Sequence, residues 1–158
     1  MEKFKTVGIG GTFDELHKGH RALLMKAFEV GSHVIIGLSS DEFAGKMEKP
    51  HVTASYGERL KELERFLGKN GFLQRAKIIC LNDSYGGVLQ SNSPIEALVV
   101  SKETEPVAHK INEKRKATGL LPLKIIVIDM IPSENHGLIS TTRIRRGEID
   151  REGHLLKT

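Results

Sequence analysis

Two histidines stand three residues apart in the segment Gly10-Gly11-Thr12-Phe13-Asp14-Glu15-Leu16-His17-Lys18-Gly19-His20. On a helical turn, that spacing directs two imidazoles toward one pocket. Glycines allow a sharp bend and a close backbone approach to a ligand. Exposed amides at a helix start attract anions. Gly10, Gly11, His17, Gly19 and His20 therefore read as a phosphate site. The pattern is neither a dinucleotide GxGxxG motif nor a P-loop, since it lacks the Lys-Ser or Lys-Thr ending. Paired histidines also suit zinc, but no neighbouring cysteine completes a ligand set. The plain alternative is two structural or surface histidines.

A second anion candidate lies far away in sequence, at Ile139-Ser140-Thr141-Thr142-Arg143-Ile144-Arg145. Ser140 or Thr141 can cap a helix, and their hydroxyls and the first-turn amides can donate to phosphate oxygens. Arg145, about one turn past Thr142, can reach the same anion, and its guanidinium suits paired contacts to phosphate. The competing reading is an ordinary helix start with a solvated basic face.

Positioning both segments requires alternating strands and helices. Strands are expected at Phe4–Gly10, His33–Ser39, Lys77–Leu81, Ala97–Ser101 and Lys124–Met130, and helices at Lys18–Val30 and Pro106–Ala117. Ser55-Tyr56-Gly57-Glu58 has capping-box spacing and starts a helix to about Lys69, with Leu60, Leu63 and Leu67 on one face. Asp41–Thr53 reads as a loop with short helical turns, and Asn82–Pro94 and Pro132–Leu138 as connectors. A further helix begins near Ser140. Val- and Ile-rich strands alternating with helices predict a parallel α/β sheet covered on both faces. Both anion candidates then fall at carboxyl ends of strands, where open parallel sheets collect ligands. Two such helix starts on one edge suit a substrate with several phosphates.

The 158 residues fit one domain, 1–158. The formal charge of +4 attracts nucleic acid or a phosphorylated small molecule. Basic residues alternate with acids, and two tyrosines without tryptophan make a poor stacking surface. A concentrated phosphate site is therefore expected, with no nucleic-acid partner. No apolar stretch approaches a bilayer span, and Met1–Thr6 lacks a signal-peptide core. The expectation is a cytoplasmic protein with no membrane partner. The single cysteine, Cys80, excludes an intrachain disulfide, and its place in the apolar run Ala76–Leu81 predicts burial.

The two segments resemble the signature pair of the nucleotidyltransferase superfamily. That pair is His-x-Gly-His near the start, here His17–His20, and Ile-Ser-x-Thr-x-x-Arg near the end, here Ile139–Arg145. The resemblance spans about Lys3 to Ile149. Through Gly10–Asp14, Leu98–Thr104 and Ile111-Asn112 the chain is most similar to the archaeal-type phosphopantetheine adenylyltransferases. It is also similar to the adenylyltransferase domain of animal bifunctional coenzyme A synthase.

That resemblance implies a Rossmann-like three-layer α/β/α fold with a mainly five-stranded parallel sheet. It implies transfer of AMP from ATP to 4'-phosphopantetheine by direct in-line attack, giving dephospho-coenzyme A and pyrophosphate. ATP is expected with Mg²⁺ and without assigned protein metal ligands. The implied catalytic set is His20, His17, Arg145 and Lys46, with Lys49 competing for the role of Lys46. Thr12 and Phe13 join the glycine turn in binding substrate. Lys18, Arg59, Ser101, Glu103, Asn112, Ser140 and Thr141 are the further implied contacts, each with a surface or structural alternative. Other phosphorylated acceptors, such as flavin mononucleotide, nicotinamide mononucleotide or glycerol phosphate, suit the same end motifs. A noncatalytic nucleotide-binding module is the reading from another class. Bacterial enzymes of this activity form hexamers, but they diverge in the middle of the chain, and a monomer is expected here.

Overall fold

The structure is a computed structural model that describes residues 4–14, 16–46 and 53–128. Five strands form one parallel sheet: β1 (Phe4–Gly11), β2 (Gly31–Ser39), β3 (Ala76–Leu81), β4 (Ala97–Ser101) and β5 (Lys124–Ile128), in the order β3-β2-β1-β4-β5. The helices are α1 (Lys18–Val30), α2 (Asp41–Lys46), α3 (Tyr56–Lys69) and α4 (Glu105–Ala117). Among the described residues no helix is long and apolar enough to cross a membrane.

Within the described residues the expected strands and longer helices form, with small shifts at their ends. Ser55 Oγ accepts from Glu58 N–H and starts α3, and Leu63 and Leu67 are fully buried along its inner face. Within the segment expected to be mostly loop, residues 41–46 make a helix. Ser40 Oγ accepts from Phe43 N–H there, satisfying one donor of the first turn. The expected Met130 end of the fifth strand, the connector after it and the helix near Ser140 lie outside the described residues.

Register assigns the two faces. Val7 is paired with Val34 on one side and Ala97 on the other, so these side chains share a face. With Ile9, Ile36, Leu38 and Val99 they pack against Leu24, Ala27 and Phe28 of α1 and Leu63 and Leu67 of α3. On the opposite face, Leu98 packs with Ala108 and Ile111 of α4 and with Val88 and Leu123. Helices thus cover both faces, as the apolar strands required.

Cys80 departs from expectation, because its side chain is exposed. It belongs to β3, which is an edge strand of the sheet. An apolar run there is covered only in part, since among the described residues no further strand pairs with its outer side.

Candidate active site

The ladder between β1 and β4 consists of Val7–Ala97 and Gly8–Leu98, although β1 continues to Gly11 and β4 to Ser101. A crevice opens where their carboxyl ends part, at the point where strand order reverses. A cavity of about 680 Å³ occupies this crevice and spreads over the α4 face of the sheet. Gly10 and Gly37 lie side by side in its floor. A Cβ on Gly37 would stand 2.5 Å from Leu81 Cδ1, so glycine is what admits the Leu81 side chain there.

His17 is the N-cap of α1. Its Nδ1 accepts from Gly19 N–H at 3.1 Å and from His20 N–H at 3.3 Å. His20 Nδ1 in turn accepts from His17 N–H at 3.3 Å. The arrangement is a capping box built from two imidazoles. The rings stack with centroids 3.7 Å apart and planes 16° apart. A Cβ on Gly19 would sit 3.0 Å from His17 Cε1, so Gly19 leaves room for the folded-back ring.

The cap dictates chemistry. A backbone amide can only donate, so each Nδ1 must present a lone pair. In the neutral imidazole the proton then sits on Nε2, and both residues line the cavity. Paired N–H donors at the positive end of a helix suit the oxygens of a phosphate chain.

Of the residues expected to contact substrate, Gly10, Gly11, Thr12, Phe13, His17, Gly19, His20, Ser101 and Glu103 all line this cavity. Adjacency of β1 and β4 brings Ser101 and Glu103 to the same cavity as the glycine turn. Phe13 holds a left-handed backbone at φ 50°, which a bulky residue adopts only under constraint.

Three expected contacts lie elsewhere. Lys18 is exposed at the first position of α1 and does not line the cavity. Arg59 is 2% exposed and sits behind the cavity wall. Its guanidinium donates to Ala54 O, Thr12 O, Ser39 O and Asp41 Oδ1. Asn112 faces the loop before β5: Leu123 N–H donates to its Oδ1 at 2.7 Å, and its Nδ2 donates to Leu123 O at 2.9 Å. Its amide is committed to backbone. Asp14, 1% exposed, accepts from Ala54 N–H at 3.2 Å. Lys46 ends α2, but its side chain, Lys49, Ser140, Thr141, Arg143 and Arg145 lie outside the described residues.

The cavity also includes residues that sequence reading passed over as plain loop or core. Phe43 of α2, Leu23 of α1 and residues 84–88 line it. Asp83 held the missed signal. Its Oδ1 accepts from Tyr85 N–H and Gly86 N–H, both at 2.8 Å, so this glycine-rich stretch is an ordered wall.

Residues 9–147 match the cytidylyltransferase-like family. The chain is 46% identical over 155 residues to a phosphopantetheine adenylyltransferase of Methanothermobacter thermautotrophicus, covering 98% of this chain and 92% of the relative. It is 47% identical over 159 residues to a phosphopantetheine adenylyltransferase of Pyrococcus horikoshii, covering 99% and 98%. This chain belongs to the archaeal phosphopantetheine adenylyltransferase family. Among solved structures, a protein of unknown function from Archaeoglobus fulgidus superposes with a TM-score of 0.70 at 30% identity, covering 87% of this chain and all of that one. In this adenylyltransferase, the β1–α1 turn and its stacked histidines stand at the carboxyl end of the central strand β1.

Proposed function

We propose that this chain transfers AMP from ATP to 4'-phosphopantetheine, releasing pyrophosphate and forming dephospho-coenzyme A. The observation that carries the reading is the double-histidine cap, whose rings line the crevice between β1 and β4, in a chain so similar to enzymes of that name.

In the reaction, a phosphate oxygen of the acceptor attacks the α-phosphorus of ATP in line. A new P–O bond forms as the bond to the β-phosphate oxygen breaks, and pyrophosphate carries away the electron pair. The attacking oxygen is already anionic, so no general base is required. Placement and charge stabilisation do the catalysis. His20 Nε2–H donates to the α-phosphate as negative charge redistributes in the transition state. His17 Nε2–H contacts the triphosphate, and Thr12 contacts the reacting phosphates. Lys46, with Lys49 as competitor, steadies the two phosphates being joined. Ser140, Thr141 and Arg145 hold the triphosphate from the far end of the chain.

Among the described residues, no group of three or more His, Cys, Asp or Glu side chains could hold a metal ion. Mg²⁺ would enter with ATP, and phosphate oxygens and water would supply most of its ligands. The working form is a single-domain cytoplasmic monomer.

Pyrophosphate release measured across an acceptor panel tests the reading. ATP with phosphopantetheine should far exceed ATP or CTP with flavin mononucleotide, nicotinamide mononucleotide or glycerol phosphate. Equal or greater turnover with one of those acceptors overturns the assignment, as does ATP binding without release from any of them.

A further inference from the structure

Arg59 carries its charge in a site where its side chain is only 1% exposed. Such a charge must place its N–H groups on acceptors. Nε donates to Ala54 O at 2.9 Å, and one terminal nitrogen donates to Thr12 O at 3.0 Å and Ser39 O at 2.8 Å. The other donates to Asp41 Oδ1 at 3.1 Å, an oxygen that also accepts from Tyr56 N–H at 2.7 Å. A planar fork can span these acceptors, which belong to the β1–α1 turn, the end of β2, the start of α2 and the residue before the α3 cap. A lysine ammonium, a point donor, cannot.

Two of these bonds bracket Phe13. Arg59 fixes the Thr12 carbonyl, which belongs to the peptide leading into Phe13. Arg59 also holds Ala54, whose N–H donates to Asp14 on the other side. Between these anchors Phe13 keeps φ at 50°, a conformation that persists only where surroundings over-determine it. The Phe13 ring, 2% exposed, lies 5.3 Å from the His20 ring at 60°. His20 in turn stacks on His17.

Resting on the adenylyl-transfer reading, we infer that Arg59 is a positioning residue for the reaction. It locks the Phe13 backbone in its left-handed conformation, and the Phe13 ring holds His20 in the plane from which Nε2–H meets the α-phosphate. Arg59 itself touches no substrate. Its effect belongs to kcat, since a displaced donor costs most where geometry is most demanding.

The test is a double-variant cycle on the full chain with Arg59→Lys and Phe13→Leu. Its readouts are kcat, KM for ATP and phosphopantetheine, and the melting transition. Each single variant should lose about tenfold or more in kcat while KM for ATP changes by less than about threefold. The double variant should be no more than about twofold worse than the poorer single, because both act through one contact. Arg59→Lys within about twofold of the parent kcat overturns the inference, and so does a double variant whose losses multiply. If Arg59→Lys does not fold, Arg59→Lys combined with Phe13→Gly decides. Glycine takes positive φ without strain, so recovery of a cooperative melt supports the inference and continued failure to fold overturns it. A parent inactive with ATP and phosphopantetheine sinks the transfer reading itself, whereas an active parent with an indifferent Arg59→Lys sinks this inference alone.

Discussion

His17 and His20 each spend Nδ1 on backbone amides, and in the proposed reaction their Nε2–H groups donate to phosphate. His20→Ala should therefore lower adenylyl transfer by about tenfold or more. It loses one capping acceptor, at a cost of about 0.5–1.5 kcal/mol. Paired turnover and melting measurements separate the two effects, and near-parental turnover in the folded variant would refute the catalytic role. Tyr56 offers a different residue-scale test. Burial raises its hydroxyl pKa above the ordinary value near 10, and the neighbouring Cys80 raises it further. A raised folded pKa means that the native state holds the proton more tightly. Its contribution to stability is complete below the unfolded pKa and fades as pH climbs through the folded one. Denaturant midpoints should fall above about pH 10 in the parent, and less steeply in Tyr56→Phe.

At the scale of the element, α1 begins with a cap that any good N-cap residue can replace in part. Asparagine at position 17 supplies a side-chain oxygen for the same orphan amides. His17→Asn should hold helix stability within about 1 kcal/mol of the parent yet lose the imidazole donor. The expected result is a similar melting temperature with a marked loss of turnover or of ATP affinity. A large drop in melting temperature would mean that the ring stack, rather than the cap, stabilises this end of the helix. The element boundaries were legible because local signals agreed with the fold. Ser55 capped α3, Gly31 followed α1, and the loop ending at Pro94 preceded β4. The short α2 was obscured by its internal Gly45 and by the lack of an apolar period, and its side-chain cap by Ser40 emerges only in three dimensions.

Across the whole molecule, Asn112 stitches α4 to the chain entering β5 through both atoms of its amide. This bond pair holds the smaller apolar cluster of Val88, Leu98, Ala108, Ile111 and Leu123 together from one side. Asn112→Leu leaves a buried donor and acceptor of Leu123 without partners, and should destabilise the fold by about 1–3 kcal/mol. Because Asn112 lies outside the cavity, kcat of the folded variant should stay within about threefold of the parent. A kcat collapse without loss of stability would restore Asn112 to the substrate site. By itself, the sequence determined the α/β alternation, the parallel sheet and the histidine turn, because each rests on local spacing: apolar runs, caps, glycines and imidazoles three residues apart. Tertiary structure alone decided where Arg59 and Asn112 spend their donors, and that Cys80 meets solvent. It also decided that residues 84–88 wall the cavity. Those outcomes depend on which strand lies at the edge and which carbonyls approach from distant segments, and neither is encoded in the neighbourhood of the residue concerned.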